Sequence, residues 1–188
     1  MSTAALDTML RIRVRTAWKA VAAWVLGIGL TVVATTSSIS GLYDTPAKIT
    51  SYADAVTAGD AMVVINGRVA GVDSLGGIVA NEFGFVASFA IPFMAVALMA
   101  RMTRRAEELG RLEMLLAGRI GRSAPLVAAL TITTIALGLV AATLAASLLA
   151  IGVPATAALL YSASMGALGL VFAGFAAVAA QLVEHARG

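Results

Sequence analysis

The stretch from Ser123 to Val183, SAPLVAALTITTIALGLVAATLAASLLAIGVPATAALLYSASMGALGLVFAGFAAVAAQLV, contains no charged side chain. A helix rising about 1.5 Å per residue crosses about 30 Å of hydrocarbon with roughly 20 apolar residues. The run is far too long for a single crossing. Its natural division is Ile151-Gly152-Val153-Pro154, where glycine permits a turn and proline cannot continue the preceding helix. Two spans are therefore predicted, at about 125–151 and 154–182, joined as a tight hairpin.

Two further spans lie upstream. The first, at about 16–36, contains AWKAVAAWVLGIGLTVVATT, and its one charge, Lys19, stands at the entry, where a long stem can snorkel to the interface. The second, at about 83–100, is uncharged and carries Pro92 near its centre. The basic residues ahead of the first span resemble the start of a signal peptide. The apolar stretch is long, however, and lacks a small-residue cleavage site, so a retained anchor is expected. The fold class is thus all-α, a polytopic membrane protein with four transmembrane helices in a single domain covering residues 1–188.

Composition agrees. Of 188 residues, 60% are hydrophobic and 12% charged, and the mean hydropathy is +0.95. Soluble domains run near 45–50% apolar and about 25% charged, and a core of this size could not hide the excess. There is no cysteine, which removes disulfides, thiolate zinc sites and thiol catalysis. The single histidine, His185, reads as a solvated tail residue beside Glu184 and Arg187. No cofactor or metal site is expected.

Charge sets the sides. Arg11, Arg13, Arg15 and Lys19 precede the first span against Asp7. The 37–82 loop holds Lys48 and Arg68 against Asp44, Asp54, Asp60, Asp73 and Glu82, whereas the 101–123 loop holds six arginines against Glu107, Glu108 and Glu113. The positive-inside rule predicts cytoplasmic termini, an outer 37–82 loop and a cytoplasmic 101–123 loop. The high pI of about 9.8 follows from this asymmetry, so membrane lipid is an expected partner and nucleic acid is not.

In the outer loop, Thr45-Pro46 reads as an N-cap followed by proline at the first helical position, with Gly59 placed to end that helix. Residues 61–70, AMVVINGRVA, resemble a short hairpin about Asn66-Gly67. Ser74-Leu75-Gly76-Gly77 leads back to the membrane. In the inner loop, Leu109, Leu112, Leu116 and Ile120 share one helical face. Arg104, Glu107, Glu108 and Arg111 take the other, with Arg104–Glu108 and Glu107–Arg111 at ion-pair spacing. This predicts a short amphipathic helix along the cytoplasmic membrane surface, either a charged linker or a docking element. The order of its residues favours docking.

The run Arg105-Ala106-Glu107-Glu108-Leu109-Gly110-Arg111-Leu112-Glu113-Met114-Leu115-Leu116-Ala117 resembles the cytoplasmic loop of ABC-2-type exporter permeases, most of all the branch that exports polyketide antibiotics such as tetronasin. That family shows R-x-E-E-x-G-R-x-E-x-L-L-A after its second span, and every fixed position matches. The chain looks like the N-terminal four-helix portion of such a permease. The resemblance implies a coupling helix seated on a cytoplasmic ATP-binding subunit, with Arg105, Glu107, Glu108, Gly110, Arg111 and Glu113 as the coupling residues. It further implies a bacterial plasma-membrane location, export of amphiphilic or hydrophobic compounds, and a second permease half or a homo-oligomer as partner.

No G-x-x-x-x-G-K-[ST] loop occurs, so the chain is not expected to be an enzyme, and ATP hydrolysis is expected in a separate chain. Glu107 and Glu108 are neighbours and do not converge on one substrate atom. No charge lies deep in a span, against a proton relay. Pro92 is a kink transporters tolerate, and Gly169, Ala173 and Ala177 form a small-residue stripe suited to close helix packing. Two function classes remain: an exporter's membrane subunit, or a non-transporting adapter that recruits a cytoplasmic partner through the loop helix.

Overall fold

A computed structural model describes residues 3–58, 64, 67, 70–103 and 124–182, with side chains from residue 10 onward. Five helices occur among these residues: α1 (Thr3–Leu42), α2 (Pro46–Thr57), α3 (Leu75–Met102), α4 (Ala124–Ala150) and α5 (Ala155–Leu182). There is no strand among the described residues. Four of the helices are long and apolar enough to cross a membrane: Leu10–Leu42 within α1, and all of α3, α4 and α5. The chain is a multi-pass, all-α membrane protein.

The hairpin between α4 and α5 forms where the Gly-Val-Pro break predicts it. Gly152 takes φ +85°, the left-handed conformation that only glycine adopts freely. The Gly152 N–H donates to Leu149 O at 3.0 Å and the Val153 N–H to Leu148 O at 3.1 Å, the paired bonds of a Schellman ending. Pro154 then accepts from the Ala158 N–H at 3.0 Å, opening α5.

The predicted helix after Thr45-Pro46 is present as α2, with Thr45 extended (φ −129°, ψ 149°) at its N-cap and proline in its first turn. Gly59 lies outside the described residues, as does most of the predicted 61–70 hairpin, and α2 ends at Thr57. One boundary is corrected. Leu75-Gly76-Gly77 is the first turn of α3, not loop, so this helix begins eight residues before the predicted span at Phe83. Ser74 caps it: its Oγ donates to Gly71 O at 2.7 Å and accepts from the Gly77 N–H at 3.2 Å. The helix runs through Pro92 to Met102.

Two compact units make up the chain. The first comprises Met1–Leu26, Ile91–Leu139 and Gly166–Gly188. Its core is Met94, Ala95, Leu98, Met99 and Met102 of α3 against Ala128, Ala129, Ile132, Ala136 and Leu137 of α4. The predicted small-residue stripe faces inward here. Ala173 and Ala177 are buried, and a methyl added at Gly169 would collide with Leu137 and stand 2.9 Å from Ile91 Cγ2. Lipid tails solvate apolar helices as well as another helix does, so close approach through small residues is what favours association.

The second unit comprises Gly27–Ala90 and Val140–Met165. Val32 of α1, Ile78, Val79 and Ala87 of α3, and Leu144 and Leu148 of α4 are among its most buried apolar side chains. The 71–74 turn lies so tightly on α3 that a β-carbon at Gly77 would overlap the Gly71 carbonyl. That obstacle is backbone and cannot rotate away.

Candidate functional site

The residues expected to couple, Arg105, Glu107, Glu108, Gly110, Arg111 and Glu113, and the amphipathic helix predicted to carry them, lie outside the described residues. His185 does too. What is described is how the 104–123 segment is tied at both ends, within the first unit. At its start, the Thr103 N–H and Oγ1 both donate to Met99 O, at 2.9 and 2.7 Å. Met102 and Thr103 are buried, and Ala124, which resumes the chain in α4, is fully buried. Thr133 of α4 donates to Met99 Sδ at 3.5 Å, joining the two anchoring helices. The segment therefore leaves from and returns to a close-packed core, and such cores shift as units rather than deform smoothly.

Charge separates between the units. Arg11, Arg13, Arg15, Lys19 and Arg101 fall in the first, while Asp44, Asp54, Asp73 and Glu82 fall in the second with Lys48. Arg13 departs from its neighbours. It is buried, whereas Arg11 and Arg15 are exposed, a difference that a run of three similar arginines does not reveal.

Sequence reasoning missed a polar knot in the second unit. Tyr52 of α2 donates from its hydroxyl to Glu82 Oε1 at 2.6 Å and accepts from Asn81 Nδ2 at 2.7 Å. The Tyr43 ring packs edge-on against Tyr52 at 5.1 Å and 69°. Partial burial, reinforced by the bond to the Glu82 carboxylate, pushes the Tyr52 phenol up to about 12. Nearby, a cavity of about 570 Å³ is bordered by Ser40, Tyr43, Asp44, Thr50 and Asp73. Asp44 is paired with Lys48 at 2.7 Å on the surface, which holds its carboxyl below the usual range. No group of three or more His, Asp or Glu side chains suited to a metal occurs among the described residues.

The first unit contains an apolar groove of about 450 Å³ between α1 and α4, walled by Val14, Trp18, Val25 and Leu26 on one side and Ile135 and Leu139 on the other. Its walls are unusually open for large apolar side chains: Trp18 is 55% and Ile135 57% exposed. Such exposure is ordinary only where lipid is the solvent.

No protein-family model and no curated protein matches the chain.

Proposed function

We propose that the chain is the membrane-spanning permease part of an ATP-binding-cassette exporter, moving amphiphilic or hydrophobic compounds such as antibiotics outward across a bacterial plasma membrane. The observation that carries this reading is the Arg105–Ala117 pattern, R-x-E-E-x-G-R-x-E-x-L-L-A, set between the second and third apolar helices. The residues flanking the 104–123 segment support it, because Met102, Thr103 and Ala124 are buried in the α3–α4 core that such a segment would have to move. The separation of basic from acidic residues supports cytoplasmic termini and a cytoplasmic 104–123 segment.

In this reading a separate ATP-binding subunit hydrolyses ATP and closes beneath the membrane. The charged side chains of Arg105, Glu107, Glu108, Arg111 and Glu113 pair across its polar surface. Leu112 and Leu116 hold the coupling helix to the membrane side, and Gly110 sits within the same motif. Two permease halves face each other above a closing ATPase pair, so a second permease half or a second copy completes the assembly.

The test is co-purification of the ATPase with the chain, and ATPase activity stimulated by a lipophilic drug. Each rim charge contributes only about 1 kcal/mol or less, so single substitutions will look silent. The triple variant Glu107→Ala, Glu108→Ala, Arg111→Ala is expected to lower ATPase recovery severalfold with membrane insertion unchanged. Unchanged recovery would reduce the loop helix to a linker, and recovery indifferent to nucleotide would point to an adapter.

A further inference from the structure

The groove between α1 and α4 is apolar along its length and open to the lipid phase. On α1 its lining runs from Val14 to Leu26, a distance of roughly 18 Å at about 1.5 Å per residue, which suits an extended chain better than a compact ring system. Its volume of about 450 Å³ falls within the roughly 300–1,000 Å³ of small-molecule sites. A ligand with polar atoms along its body would find nothing in these walls to replace water.

The polar requirement is met at one end. Arg15 and Lys19 lie four apart on α1 beside the groove residues Val14 and Trp18, and both are exposed. The Lys19 ammonium stands 5.7 Å from the Trp18 ring centroid, so the positive charge is held against the groove's own wall. No acidic residue occurs between Asp7 and Asp44. An amphiphile with its tail in this groove therefore meets the positive charges of Arg15 and Lys19 at its head. That excludes a cationic head and favours a phosphate.

We propose that the groove is a site for an anionic phospholipid, with an acyl chain between α1 and α4 and the headgroup phosphate held by Arg15 and Lys19. This is independent of whether the chain exports anything. Basic residues at a membrane surface favour anionic lipid by several-fold each, and the groove converts that general attraction into a preference at one place.

Trp18 is the natural reporter, since the chain has two tryptophans and the other, Trp24, packs edge-on against Phe93 at 5.7 Å. The full chain carrying Trp24→Phe is reconstituted in vesicles of phosphatidylcholine doped with phosphatidylglycerol. One lipid or the other bears a brominated acyl chain that quenches indole fluorescence on contact. The expected result is quenching of Trp18 at a mole fraction of brominated phosphatidylglycerol at least about fivefold lower than of brominated phosphatidylcholine. Arg15→Ala with Lys19→Ala should abolish the preference, with helicity by circular dichroism unchanged. Arg15→Lys with Lys19→Arg should retain it, and Ala22→Phe, which fills the groove, should weaken quenching by both lipids. Equal quenching by the two lipids in the Trp24→Phe chain would overturn the proposal, as would a preference that survives loss of both charges. Trp18 quenched by neither lipid would overturn it as well, because the groove would then be covered by protein.

Discussion

The two compact units are assembled from pieces of the same apolar helices, yet they are specified by different means. In the unit of Ile91–Leu139 and its partners, α5 meets α3 and α4 at Gly169, with Ala173 and Ala177 also buried, and the hydrogen bond that Thr133 makes from α4 to α3 ends on a methionine sulfur. In the unit of Gly27–Ala90 and Val140–Met165, α2 is pinned to α3 by Tyr52, Glu82 and Asn81, and the 71–74 turn is locked on Gly77. Shape alone selects the arrangement where lipid is the competing solvent, because burial against a neighbour gains little over burial in acyl chains. Hydrogen bonds can select it where the chain leaves lipid, because a polar group there has water as its alternative and costs less to misplace.

Shape should therefore be the less forgiving device. Gly169→Leu forces an isobutyl group between Leu137 and Ile91, both buried, and overpacking of this kind costs about 1–3 kcal/mol and occasionally more. Thermal unfolding in detergent should show a larger drop for this variant than for loss of the Tyr52 hydroxyl or of the Asp44–Lys48 pair. Gly138, whose added β-carbon meets nothing within 4 Å, is the internal contrast. Gly138→Ala should leave the midpoint unchanged or raise it, since alanine is favoured over glycine within a helix by about 1 kcal/mol. If both changes proved neutral, close packing would not be what holds that unit.

How much of this is legible in the sequence depends on whether the deciding contact is local. The 123–183 run announces two helices because nothing in it is charged and the Gly152-Val153-Pro154 break is read from three adjacent residues. Thr45-Pro46 likewise announces α2. The start of α3 is hidden because Asn81 and Glu82 look like loop residues. They fit a helix since Tyr52, about thirty positions away, takes up their hydrogen bonds. Arg13 is hidden for a similar reason: burial depends on which face of α1 packs, and three arginines at alternate positions do not disclose it. The Arg105–Ala117 pattern is legible as a run of residues, but its geometry falls outside the described residues.

The polar knot should give a smaller, more local effect than Gly169. Tyr52→Phe removes one donor and one acceptor from a partly exposed site, worth about 1 kcal/mol. Amide exchange should quicken across 46–57 while α4 and α5 keep their protection. The pH dependence has a definite sign. The neutral phenol is the form that donates to Glu82, and its pKa is raised from 10.0 to about 12. The stabilisation is fully present below the unfolded value near 10 and is lost as pH rises from there through about 12. Tyrosinate absorbance that is lost in Tyr52→Phe should titrate late, and Glu82→Gln should bring that step earlier.

The smallest effect belongs to the Asp44–Lys48 pair, and it sharpens the contrast within the same unit. The two side chains meet at 2.7 Å, but both are more than half exposed. Water and salt therefore compete with the contact on every side, and holding two side chains in one geometry offsets what attraction is left. Lys48→Met should leave the unfolding midpoint and the exchange rates of 46–57 unchanged. The pair should still be visible in titration. Lys48 lowers the Asp44 carboxyl from its ordinary 3.8, mainly through the hydrogen bond and then through its charge. A depressed carboxyl contributes its stability above the unfolded pKa and loses it as pH falls through the folded one, so any trace of the pair must vanish in acid. Carbon-detected NMR of Asp44 should show the pKa returning to the ordinary range in Lys48→Met, with the α2 exchange pattern intact. A loss of α2 protection in that variant, comparable to Tyr52→Phe, would mean that surface charge rather than the Tyr52 knot fastens α2, and the contrast between exposed and partly buried polar contacts would fail.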